Sequence, residues 1–213
     1  METRKYTLVL FDLDGTLLDT SPGIFNSVRF AEQELGLAPI PQERLCEFVG
    51  PPPKKAYMHI HGLPADQAML AAIKHRQYGR EKGVYEAVLY PGIEDTLQRL
   101  KQAGCVLGVA TLKAQGIAEH VLAHYGIAHY FDVIVGMDEQ ESLTKAMTIR
   151  MAMDRVEVNG KVCMVGDSHY DYEGAVEAKV DFLGVTYGFG FHPGEDYPFT
   201  TAATTLEIAD LCL

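Results

Sequence analysis

The sequence predicts an α/β protein, a doubly wound parallel sheet interrupted after its first strand by a block of helices. Three observations predict it. Short, Val-rich runs largely uninterrupted by charge recur along the chain, as strands buried on both faces require. From about residue 93 onward, segments with apolar residues at helical spacing separate those runs. Between about residues 21 and 88 the alternation stops, and helical patterns follow one another without a convincing strand.

Leu8, Val9, Leu10 and Phe11 form the first strand, and Gly15 lets the chain turn away after it. Ser21-Pro22 predicts a helix start, with a capping hydroxyl and a proline in the first turn. Ile24, Val28, Ala31 and Leu35 then repeat at helical spacing until Gly36. Further helices are expected near residues 42–48, 54–61 and 65–83. The chain re-enters the core at Tyr90-Pro91-Gly92, and Ile93, Leu97 and Leu100 share a helix face. Four more strands are expected at residues 105–110, 131–136, 162–166 and 182–186. Helices carrying Ile117, Val121 and Leu122, and then Ala146, Ile149 and Met153, fall between them.

The 213 residues, 47% hydrophobic and 22% charged, suit one sizeable domain or a domain with an insertion. A net charge of -11, with no block of Lys and Arg to track a phosphate backbone, argues against nucleic-acid and anionic-membrane partners. No stretch approaches the roughly 18 apolar residues of a membrane span, and no apolar signal region precedes the first strand, so a cytoplasmic location is expected. Cys46, Cys105, Cys163 and Cys212 are scattered without a C-x-x-C pair, which excludes a zinc or redox motif and leaves free thiols. The pairs His59 with His61 and His120 with His124 lack a carboxylate or cysteine to complete a ligand set, so structural roles are expected for them.

In open α/β sheets, ligands bind at the carboxyl ends of the strands. Polar residues follow the apolar runs there repeatedly: Asp12 and Asp14 after the first, Thr111 and Lys113 after the second, Gly166-Asp167-Ser168 and Asp171 after the fourth. Lys145 precedes the helix that leads into the fourth strand and can reach the same edge. Two carboxylates so close repel, so the Asp12/Asp14 pair requires a cation or a shared proton. Carboxylates, a hydroxyl and an ammonium are together the parts of phosphoryl transfer through an aspartyl-phosphate, and an all-oxygen donor set suits Mg²⁺.

The run from Asp12 to Thr20, the Ala110-Thr111 strand end, Lys145 and the run from Gly166 to Asp171 resemble the four motifs of the haloacid dehalogenase (HAD) superfamily over nearly the whole chain. The resemblance implies a Rossmann-like core at residues 1–19 and 89–213, with an all-helical cap at residues 20–88 hinged near Thr20 and Leu89. It implies Asp12 as nucleophile and Asp14 as general acid and base. Thr111 and Lys145, with backbone N–H groups near Gly15, would hold the phosphoryl oxygens. Asp12, Asp167 and the backbone carbonyl of Asp14 would hold Mg²⁺, with Asp171 and Ser168 in support. Asp19 is read as a helix-start group.

An acid at Asp14 favours a phosphate ester over a carbon–halogen bond, because a halide leaves without a proton. The implied function is a Mg²⁺-dependent phosphatase for a small phosphorylated metabolite, phosphoglycolate-like, with 5′-nucleotidase or sugar-phosphate mutase activity as alternatives and a catalytically silent regulator as the non-enzyme one. The Gly/Pro-rich segment 48–55 is the expected specificity loop of the cap, through Gly50, Pro51 and Lys54, and Lys54 or Lys55 would meet an anionic tail. Leu112, Ala146 and Lys179-Val180 depart from the residues usual in the family at those positions.

Overall fold

The computed structural model describes residues 4–157 and 159–213. Strand β1 (Leu8–Phe11) leads to a two-residue stub, β2 (Leu18–Asp19), and then to helices α1 (Ser21–Leu35), α2 (Pro53–Ile60) and α3 (Ala65–Glu81). A second stub, β3 (Val88–Leu89), returns the chain to α4 (Ile93–Gln102), β4 (Val106–Ala114), α5 (Gln115–His124) and β5 (Val133–Met137). The remainder is α6 (Lys145–Arg155), β6 (Val162–Gly166), α7 (His169–Ala178), β7 (Asp181–Val185), β8 (Thr200–Ala202) and α8 (Thr205–Cys212).

Six strands form one parallel sheet in the order β5-β4-β1-β6-β7-β8. Residues that alternate along a strand point to opposite faces, and the two sides of the core follow that period. Val9 and Phe11 pack with Leu97, Ile117, Val121 and Ile208 of α4, α5 and α8. Leu8 and Leu10 pack on the other face with Ile149, Ala152 and Ala175 of α6 and α7. β1, buried throughout, therefore lies mid-sheet, and Asp12 stands at its carboxyl end.

Helices α1 to α3 and the 3₁₀ turn Gln42–Phe48 enclose a separate apolar cluster. Ile24, Val28 and Ala31 supply the α1 face, against Leu45, Phe48, Tyr57 and Ala68. His61 belongs to this cluster, with its ring 5.5 Å from Tyr57 and 6.2 Å from Phe48, while His120 and His124 lie edge-on to the exposed Tyr85. The antiparallel stubs β2 and β3 pair where the chain leaves and re-enters the sheet. Among the described residues no helix is long and apolar enough to cross a membrane.

Three expectations need correction. Ser21 is the first helical residue, not the cap of α1: its N–H and hydroxyl both donate to Asp19 Oδ1, at 3.0 and 2.7 Å, which frees the Thr20 hydroxyl for another partner. β4 runs on to Ala114, so Thr111 and Lys113 lie within it rather than after it, where its pairing with β5 shifts register. β8 and α8, which the strand and helix patterns did not predict, complete the sheet edge.

Candidate active site

Asp12 and Asp14 leave β1 into different surroundings. Asp12 is buried, and its Oδ1 accepts a hydrogen bond from Lys145 Nζ at 2.6 Å. Lys145 reaches it because Thr144 caps α6, its hydroxyl accepting the Met147 N–H at 3.2 Å, so that the lysine is the first helical residue. The same ammonium lies 2.6 Å from Asp171 Oδ1. Asp171 Oδ2 in turn accepts the Ser168 hydroxyl at 2.6 Å and its N–H at 3.0 Å, so Ser168 orients the carboxylate that holds the lysine.

Asp167, at the end of β6, completes a buried group with Asp12 and Asp171 whose carboxylate oxygens lie within 4.8 Å of one another. Three carboxylates and one ammonium leave an excess of negative charge. Burial pushes the Asp12 carboxyl up to about 6, the attraction of Lys145 only partly opposing it and Asp171 and Asp14 adding to it. Burial and then Asp171 hold Asp167 well above the usual carboxylate range, although the Phe189 N–H donates to its Oδ2 at 2.7 Å. Burial pulls the Lys145 ammonium down, but Asp12 and Asp171 outweigh it and keep that group above the ordinary lysine value.

An anionic, all-oxygen cluster of this kind fits a hard divalent cation such as Mg²⁺, which would offset the repulsion. Asp12 and Asp167 are the carboxylates that would hold it, with Asp171, whose oxygens are taken by Lys145 and Ser168, in support. The Asp14 carboxylate is turned elsewhere, so the ligand expected of this residue is its backbone carbonyl alone. Its Oδ1 accepts the Thr20 hydroxyl at 2.6 Å, and its two oxygens lie 2.9 and 3.1 Å from Lys113 Nζ. Thr111 is buried on β4, the strand beside β1, and its hydroxyl accepts the Lys113 N–H at 3.2 Å.

Gly15 adopts φ 79°, a left-handed conformation that L side chains rarely take. A Cβ there would also collide with Asp167 Oδ2 and approach Phe189. Gly15→Ala is therefore expected to displace Asp167, lowering Mg²⁺ affinity and kcat by about tenfold or more. Isothermal titration with Mg²⁺ beside steady-state kinetics checks this; wild-type Mg²⁺ affinity in the variant would contradict it.

A cavity opens beside Asp14, between α1, α3 and the 48–55 segment on one side and β4 and α5 on the other. Gly50 and Pro51 line it, and Lys54 does not: its backbone N–H donates to Glu141 at 3.3 Å. The cap cation that faces the cavity is Arg76, on α3, paired with Glu141 from the segment after β5. Leu112 forms part of the wall. Ala146 needs no proline to start α6, because Thr144 caps it. Lys179 takes φ 60° at the end of α7, the conformation that a glycine usually supplies.

Asp12, Lys145, Asp167, Asp171 and Ser168, which the sequence predicts at one strand edge, lie together. The partners of Asp14 carry no such signal. Lys113 has only its place near a strand end and Thr20 only its place at the expected hinge, and neither announces the contact with Asp14. The Phe189 contact with Asp167 depends on a glycine-rich turn whose only sequence signal was its flanking Gly188 and Gly190.

The family model described as haloacid dehalogenase-like hydrolase matches residues 9–185. A 5'-nucleotidase from Pseudomonas aeruginosa is 36% identical over 188 residues, covering 87% of this chain and 85% of the relative. Tyrosine-protein kinase PtkA of Mycobacterium tuberculosis is 34% identical, covering 92% and 68%. A phosphoglycolate phosphatase from Vibrio parahaemolyticus is 30% identical, covering 89% and 87%. The crystal structure of a predicted phosphatase from Clostridium acetobutylicum superposes with a TM-score of 0.88 at 36% identity, covering 97% of each chain.

Proposed function

We propose, from the premise that the chain belongs to the haloacid dehalogenase-like hydrolase family, that it is a Mg²⁺-dependent phosphatase that hydrolyses a small phosphorylated metabolite through an aspartyl-phosphate. One observation carries the reading. The two carboxylates of β1's end have separate partners, Asp12 with Lys145 beside Asp167 and Asp171, and Asp14 with Thr20 and Lys113, and separate environments support separate roles.

In the first step an Asp12 oxygen forms a bond to phosphorus as the bond to the ester oxygen breaks. The leaving alkoxide takes its proton from Asp14, which carries one for this step and which the Thr20 hydroxyl and Lys113 keep in place beside the cavity. Lys145 orients Asp12 and faces the negative phosphoryl oxygens, with Thr111 and the backbone around Gly15 as further donors. Water then attacks phosphorus, gives its proton to Asp14, and Asp12 is regenerated as phosphate leaves. Mg²⁺, when bound by Asp12, Asp167 and the backbone carbonyl of Asp14, supplies positive charge that offsets the developing negative charge.

The relatives named 5'-nucleotidase and phosphoglycolate phosphatase support a phosphomonoester substrate and divide on its alcohol. The test is release of p-nitrophenol from p-nitrophenyl phosphate. Activity is expected with Mg²⁺, with a loss of about a hundredfold or more in EDTA that added Mg²⁺ restores. A folded, Mg²⁺-loaded protein that releases neither p-nitrophenol nor phosphate would refute the reading and leave a ligand-binding regulator.

A further inference from the structure

The cavity beside Asp14 is lined by charges that already have partners. Asp14 is matched by Lys113 and Arg76 by Glu141. His75, also in the wall, is held neutral: burial, and then Lys113 and Arg76, push its imidazole down to about 3. Much of the remaining wall is apolar, with Ile24, Phe48, Val84, Leu112, Ile117 and Met137 facing the space.

Glu141 is the unusual member. It is one of two non-glycine residues at positive φ among those described, at 52°, a backbone conformation that L side chains rarely adopt. Its side chain is only 3% exposed, and the carboxylate takes both donors that this end of the cavity offers, the Arg76 guanidinium and the Lys54 N–H in the first turn of α2. A half-buried guanidinium in the wall of a cavity that also holds Asp14 is what would recognise a second anionic group on a substrate. Here the chain fills that position with its own carboxylate. A carboxylated leaving group must either displace Glu141 into a buried, unpaired state or lie beside a like charge, and both are unfavourable.

We propose that Glu141 is a specificity-determining residue: by occupying the anion position at Arg76, it makes the cavity select phosphomonoesters whose leaving alcohol is uncharged and largely apolar over those carrying a second anionic group. The inference rests on the phosphatase reading and specifies its substrate class. It differs from the phosphoglycolate-like expectation in the charge of the alcohol, and it assigns the anion position to Arg76 rather than to Lys54.

The test compares kcat/KM for adenosine 5′-monophosphate and p-nitrophenyl phosphate with that for phosphoglycolate, all with Mg²⁺. Wild type is expected to favour the uncharged alcohols by at least about tenfold. In Glu141→Gln the ratio of phosphoglycolate to p-nitrophenyl phosphate is expected to rise by at least about tenfold, mainly through KM, and adding Arg76→Gln should remove that gain. A wild type that prefers phosphoglycolate, or a folded Glu141→Gln with the wild-type ratio, overturns this inference and leaves the phosphatase reading standing. No hydrolysis of any of the three esters overturns both.

Discussion

Replacing Asp12 with Asn is expected to lower kcat for p-nitrophenyl phosphate by about 10⁴-fold or more, with little loss of stability. The amide keeps the shape of the carboxylate but cannot attack phosphorus. What remains is the positioning of substrate by Lys145 and the surrounding donors. Stability is spared for a local reason. Burial already disfavours charge at Asp12, so a neutral isostere suits the site, and Lys145 keeps its 2.6 Å contact with Asp171. A thermal unfolding midpoint within a few degrees of wild type, beside the lost turnover, would meet both expectations. Activity within tenfold of wild type would place the nucleophile elsewhere.

The central strands were legible because buried parallel strands need continuous apolar runs. β6 starts and stops where its Val-Cys-Met-Val-Gly run does, and β1 likewise. β4 was read too short because Thr111 and Lys113 interrupt its run, while its backbone continues extended to Ala114. The stubs β2 and β3 are two residues each and exist only through each other, so no local pattern marks them. α8 did carry a signal that went unread: Thr204 accepts the Glu207 N–H, and the Glu207 side chain accepts the Ala203 N–H, a reciprocal N-terminal arrangement that a Thr-x-x-Glu spacing can announce.

The candidate site divides in the same way. Asp12, Asp14 and Asp167 could be placed because strand ends in an open sheet share one edge, and Lys145 because it begins a helix that returns to that edge. Contacts between the helical insertion and the sheet could not be placed, because nothing in either segment encodes their relative position. Arg76 sits mid-way along α3 as an ordinary helix-surface cation, and Glu141 lies in a polar loop; only the packed molecule joins them. Lys54 stands next to a Gly/Pro loop in the sequence, and its contact with the cavity wall runs through its backbone N–H to Glu141, which no side-chain pattern announces.

Lys145→Met is expected to damage both activity and folding, which separates it from the Asp12 variant. The Lys145 side chain is 4% exposed and is the cation bound to both Asp12 and Asp171. Without it, three buried carboxylates face one another with oxygens within 4.8 Å and no compensating charge. Removing one partner of a buried ion pair costs about 3–5 kcal/mol, and the loss of a second contact places this case towards the upper end. Turnover should fall as well, by about a hundredfold or more, because the ammonium also faces the phosphoryl oxygens. Arginine should not substitute, since the buried ammonium sits 2.6 Å from both Asp12 and Asp171, a spacing that suits a compact head group rather than a planar guanidinium. Urea unfolding in EDTA and in Mg²⁺ tests the electrostatic account specifically. The destabilisation should be greatest in EDTA and partly relieved by Mg²⁺, because the cation supplies some of the charge that the lysine took away. A loss below about 1 kcal/mol in EDTA, or one that Mg²⁺ does not change, would mean that packing rather than charge makes Lys145 matter to the fold.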